Sequence, residues 1–301
     1  MENVTITAKD GYRLSLAVFE AEQPRGYIQV IHGMEEHKER YETFAGRLCQ
    51  EGYTVITSDM RGHGKNAPVK GFFKEKDGCK YLLSDQMQIT AYIQNRFGAA
   101  KVMIFAHSMG TIIARNLLRT QSQNYEKMIL SGYPNYPGAL SLLRGFLLTD
   151  LLCLVAGPKY HSRLVQYAAV GVFNKNIKHA KTDVDWICSN EETVRDYLED
   201  PCCGHGFTIS AFHDLFVLTT AMHQRRHYKH VNRALPVLLL RGSEDPCTGY
   251  EKGAEDSYRT LQKAGFLNLS SIVYPHMRHE ILNEKENEKV YADIIGFYKK
   301  P

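Results

Sequence analysis

Apolar residues in this chain fall into short runs separated by longer mixed stretches, and this spacing carries most of the structural information. Residues 14–19 alternate apolar and polar side chains, the period of a strand with one face buried, and predict an antiparallel strand. Residues 27–31, 53–59, 101–106 and 127–131 are short apolar, β-branched runs and predict further strands. Between them, residues 40–51, 85–96 and 111–120 read as helices, with Ser84 or Asp85 available as a cap for the second. The alternation stops at Tyr133, and up to Arg233 the pattern is helical with no clear strand. It resumes with a strand at 235–242, a helix at 253–264, a strand at 271–274 and a last helix at 284–298. Short β-branched runs separated by helices predict an α/β chain with a doubly wound, mostly parallel sheet. We assign the core to residues 1–132 and 234–301, and a helical cap to residues 133–233.

Composition narrows the class. Apolar residues make up 44% and charged residues 23% of 301, too apolar for a disordered chain and long enough for a core plus an insertion. The net charge of +4 is dispersed. Its densest basic run, Arg225-Arg226-His227-Tyr228-Lys229-His230, reads as a solvated helix end, and nucleic-acid binding would need a broader stripe and a recognisable module. Seven cysteines, odd in number and without a CxxC pair, predict free thiols rather than a disulfide framework or a zinc knuckle. With no leader-like segment at Met1-Glu2-Asn3-Val4-Thr5, the expected location is the cytoplasm. Gly138 to Gly157 has the length of a membrane span, but Arg144 and Asp150 inside it are costly at a bilayer centre. We expect a buried or cleft-lining helix, and at most peripheral membrane contact.

In an open parallel sheet, ligands sit beyond the carboxyl ends of the strands. Reactive residues follow predicted strands at four places. Ser108, in Ala106-His107-Ser108-Met109-Gly110, lies between a strand and a helix, where a sharp turn would expose its hydroxyl. The form is A-x-S-x-G, with alanine where glycine is usual, and the bare pentapeptide also suits a helix cap. His32-Gly33-Met34 could supply one oxyanion N–H from Met34, and Met109 the other. In Gly242-Ser243-Glu244-Asp245-Pro246, Asp245 and Glu244 compete for the acid, with Asp245 preferred at the loop apex. An Asp there could equally cap the following turn. In His276-Met277-Arg278-His279-Glu280, His276 and His279 compete for the base, with His279 preferred. The order Ser, Asp, His is that of an α/β hydrolase.

These motifs, together with Glu36-His37, Arg40-Tyr41 and Asp59-Met60-Arg61-Gly62-His63-Gly64, resemble the monoacylglycerol lipase and lysophospholipase-like branch of the α/β hydrolases, which includes serine aminopeptidases. The resemblance implies the α/β-hydrolase fold, Ser108 as nucleophile, Asp245 as acid, His279 as base, and the Met34 and Met109 amides as oxyanion donors. It implies a structural role for the Asp59–Gly64 turn, with His63 packed. The expected substrate is a small-molecule acyl ester, cleaved without metal or cofactor. In the cap, Leu143, Leu147 and Leu151 are candidates for a greasy acyl-binding wall, while Glu191-Glu192 and Glu199-Asp200 could meet an amine if the chain were a peptidase.

Overall fold

The structure, a computed structural model, describes residues 1–300. Eight strands form one sheet in the order β1-β2-β4-β3-β5-β6-β7-β8. They are β1 (Glu2–Thr7), β2 (Arg13–Phe19), β3 (Gly26–Ile31), β4 (Tyr53–Ser58), β5 (Val102–His107), β6 (Tyr125–Ser131), β7 (Val237–Gly242) and β8 (Leu269–Tyr274). β1 and β2 are antiparallel to their neighbours, and the pairs from β4 to β8 are parallel. This is the doubly wound, mostly parallel sheet that the spacing of apolar runs predicts, and it fits the α/β-hydrolase fold that the resemblance implies.

The central strands bury both faces, and the two-residue period sorts their side chains. Ile104 and Ala106 of β5 pack with Met128, Leu130, Val237 and Leu239 on one face. Met103 and Phe105 pack with Ile129, Leu238 and Leu240 on the other. Helices α2 (Gly78–Phe97), α3 (Met109–Gln121) and α8 (Tyr250–Ala264) cover the first face. Helices α1 (Glu42–Gln50) and α9 (Glu288–Lys299) cover the second.

Two expectations change. β1 escapes the sequence reading because its only apolar side chains beyond Met1 are Val4 and Ile6, scattered among polar ones, and pairing with β2 rather than burial defines it. α2 starts at Gly78, well before Ser84, since Cys79, Leu82, Gln86, Ile89 and Ile93 already form a buried stripe. Asp85 therefore lies inside the helix, where it forms a two-pronged ion pair with Arg61 at 2.6 and 2.8 Å.

Between β6 and β7 the chain forms α4 (Ala139–Ala156), α5 (Arg163–Ala169), α6 (Glu191–Glu199) and α7 (Ile209–His223). α7 joins the core through Ala211, Phe212 and Leu218. α4 is not the buried helix expected from its composition. Only Leu142 and Thr149 are buried, while Leu140, Leu143, Leu147, Leu151, Leu154 and Val155 stand 54% to 86% exposed. Ser141, Leu142, Arg144, Gly145 and Leu148 line the cleft described below, so the cleft-lining half of the expectation does match.

Candidate active site

The Ser108 position follows from the β5–α3 turn. Its backbone has φ 50° and ψ −121°, a conformation that an L-residue keeps only when its surroundings impose it. Ser108 N–H donates to Ser131 O of β6 at 3.0 Å, and the first turn of α3 closes back on Ser108 O through Thr111 N–H at 2.8 Å. Gly110 is required by contact: a Cβ there would lie 2.2 Å from Ile31 O. α3 thus rests directly on the end of β3. Ala106 is fully buried within the sheet, so the alanine in place of glycine is absorbed by the core. Ser108 occupies the N-cap position of α3, but its side chain makes no capping hydrogen bond and is free for other partners.

The turn aims Ser108 Oγ at His279 Nε2, 2.8 Å away. His279 Nδ1 donates to Asp245 Oδ2 at 2.9 Å. All three residues are buried. Two backbone bonds, Ser243 N–H to Tyr274 O at 2.8 Å and Glu244 N–H to Met277 O at 3.0 Å, tie the acid loop to the histidine loop. The competing residues lie elsewhere: His276 is at the surface and faces Glu244, Nδ1 to Oε1 3.4 Å. Asp245 also caps its own turn, its Oδ1 accepting from Cys247 N–H at 2.8 Å and Thr248 N–H at 3.4 Å.

The electrostatics favour a chargeable His279. Burial alone would lower its pKa, but the charge and hydrogen bond of Asp245, with Glu280 and Glu36 behind, outweigh burial and raise it above the ordinary histidine value. The neighbouring His107 ring, 4.8 Å from His279 between centroids, behaves oppositely. Burial and the charge of His279 hold His107 down to about 4, so it stays neutral.

Facing Ser108 is the loop after β3. A Cβ on Gly33 would meet Ser108 Cβ at 3.1 Å and the Glu36 carboxylate at 2.6 Å. Gly33 N–H donates to Glu36 Oε1, which also accepts from Tyr41 Oη at 2.8 Å. His32 Nδ1 donates to Gly33 O at 2.7 Å, and its Nε2 accepts from Met60 N–H at 3.0 Å. Among the described residues, the N–H groups of Met34 and Met109 find no protein acceptor, and both residues line the cleft beside Ser108.

Sequence reasoning gave no role to the salt-bridged group behind this loop. Arg40 bonds Glu36 at 2.9 Å and grips both oxygens of Glu280 at 2.8 and 2.7 Å. Burial would raise both carboxyls, but the Arg40 guanidinium outweighs it and holds them below the ordinary range. The loop after β3 and the residue next to His279 are therefore clamped together. Trp186, from the segment between β6 and β7, lies against His279 with ring centroids 4.9 Å apart. His63 is buried, with Nε2 accepting from Glu35 N–H at 3.3 Å, a packing role.

The cleft above Ser108 has a volume of about 1140 Å³. Core and cap both line it, with Ile112, Leu142, Leu148, Val165, Leu215 and Phe216 among its apolar side chains. Leu143, Leu147 and Leu151 do not line it; they face outward on α4, and Leu142 and Leu148 occupy the inner face instead. Glu191, Glu192, Glu199 and Asp200 are also absent from the lining. One grouping has metal-ligand chemistry: atoms of His37, Asp200 and Cys203 lie within 4.8 Å of one another. Both His37 nitrogens already face carboxylates, Glu39 at 2.6 Å and Asp200 at 2.8 Å, so the grouping works as a core-to-cap tie.

The model of the family described as serine aminopeptidase, S33, matches residues 22–286. The chain belongs to this family. Its relatives include a monoacylglycerol lipase of Mycolicibacterium smegmatis, 25% identical over 91% of this chain and 88% of the relative. A monoglyceride lipase of Rattus norvegicus is 25% identical over 89% and 80%. A probable lysophospholipase L2 of Haemophilus influenzae is 23% identical over 87% and 80%. A thermostable carboxyl esterase from Bacillus coagulans shares the fold with a TM-score of 0.90 over 99% of this chain and 97% of the esterase, at 24% identity.

Proposed function

We propose that this S33 protein hydrolyses carboxylic esters of acyl-glycerol or lysophospholipid type through an acyl-serine intermediate. The observation that carries the reading is the relay from Ser108 Oγ to His279 Nε2 to Asp245, joined by hydrogen bonds of 2.8 and 2.9 Å at the base of a largely apolar cleft. Ser108 Oγ attacks the ester carbonyl carbon while its proton passes to His279 Nε2. The oxyanion forms against the Met34 and Met109 N–H groups, and Asp245 stabilises the imidazolium. His279 returns the proton to the leaving alcohol oxygen. Water then attacks the acyl-serine, with His279 again as base. The chain's own groups supply each of these steps.

The substrate class is supported by the names of the relatives and by the apolar lining. The family's aminopeptidase description suggests a second reading, but the acidic pairs considered for an amine lie outside the cleft, on exposed α6 or bonded to His37. Free cysteines throughout suit a reducing compartment, and we place the protein in the cytoplasm. The test has two parts. A fluorophosphonate should label the wild type and not Ser108→Ala; equal labelling sinks the assignment. Against acyl p-nitrophenyl esters and amino-acid nitroanilides, turnover should be confined to the esters.

A further inference from the structure

Glu35 stands one residue after the Met34 donor, in the left-handed backbone region at φ 55° that favours glycine. Its side chain is 5% exposed and lines the same cleft as Ser108. Among the described residues no Lys or Arg pairs with this carboxyl. Its side-chain partner is a neutral amide, Gln166 Nε2, at 2.6 Å from the cap. Nearby on the cleft wall, His205 Nδ1 donates to Gly206 O at 3.0 Å, and its Nε2 is buried with no partner. A buried acid without a counter-ion and a buried, unpartnered imidazole nitrogen are each expensive unless a ligand completes them.

Resting on the ester-hydrolase reading above, we infer that Glu35, with Gln166 and His205, is a specificity subsite for a free hydroxyl on the alcohol half of the ester. The chemistry of the group decides between possible ligands. Burial raises the Glu35 carboxyl, and burial pushes His205 down to about 4. The free atoms of the subsite are thus a carboxyl with no counter-ion and an imidazole nitrogen able to accept, both of which suit a hydroxyl. A cationic head group would meet Arg144 and Arg163 on the cleft wall. A plain alkyl alcohol would leave the polar atoms unsatisfied, and sites of this kind reject such analogues strongly.

The experiment compares three esters of one acid: monooctanoylglycerol, ethyl octanoate and octanoylcholine. For the wild type, kcat/KM for the glycerol ester exceeds that for the ethyl ester. Glu35→Gly, which suits the backbone and keeps the fold, lowers that ratio about ten- to hundredfold, chiefly through KM. Glu35→Gln, which can still donate to and accept from a hydroxyl, restores most of it. An unchanged ratio in Glu35→Gly overturns the subsite, as does an equal fall on all three esters, which would mark a purely structural role at Met34. A loss confined to octanoylcholine, unrescued by Gln, would mark a cation site instead. A wild type that cleaves none of the three fails at the ester reading itself, whereas one that cleaves them without preference fails only at the subsite.

Discussion

Asp245 performs two tasks with one carboxylate. Oδ1 holds the turn through Cys247 and Thr248, and Oδ2 holds His279. Replacing it with Asn keeps the turn's acceptor but changes the partner that His279 Nδ1 meets. Asp245→Asn should therefore fold normally yet lose kcat by on the order of 10⁴. The pH dependence has a definite sign. Only neutral His279 can accept the serine proton, and its pKa is raised, so the acid limb of kcat/KM should lie above the ordinary histidine value of 6.5. In Asp245→Asn, residual activity should show that limb moved to lower pH; a limb that stays put would contradict the assignment of Asp245. Arg40 is the other residue whose removal has a clear consequence. Arg40→Met leaves Glu36 and Glu280 buried and unpaired, which should cost about 3–5 kcal/mol in urea unfolding. At this scale the sequence was legible in its reactive loops. It ranked Asp245 above Glu244 by its place at the loop apex and His279 above His276 through the resemblance, but the reason these two meet is not local, because it depends on how two loops bond to each other. The Arg40–Glu280 pair spans 240 positions, beyond any local pattern.

At the scale of elements, strands β3 to β7 could be placed from apolar runs because burial on both faces leaves a continuous signal, whereas β2 was marked by alternation and β8 by a short β-branched run. α4 shows the limit of that reasoning. It is apolar all round, and such a helix gives no sign of which face will be buried. Its inner face lines the cleft, and its outer face presents Leu143, Leu147, Leu151 and Leu154 to solvent. An exposed apolar stripe next to the cleft proposed to take lipid esters is expected to dock transiently on a lipid surface. Leu147→Glu together with Leu154→Glu should reduce co-sedimentation with phosphatidylcholine vesicles severalfold and slow hydrolysis of vesicle-borne monoacylglycerol. Hydrolysis of a soluble short-chain p-nitrophenyl ester should hold steady. Equal vesicle binding by wild type and double variant would exclude α4 as the docking element.

At the scale of the whole molecule, the cap touches the reaction centre through Trp186, which lies against His279. It is the only tryptophan in the chain. An indole in contact with an imidazole is quenched when the imidazole gains a proton, and its emission shifts when water reaches it. The protein thus carries a built-in optical reporter at the junction of its two parts. Intrinsic emission should titrate with the same midpoint as the acid limb of activity, and that titration should vanish in His279→Ala. Rapid mixing with a lipid ester would then time events beside Ser108 with no label attached.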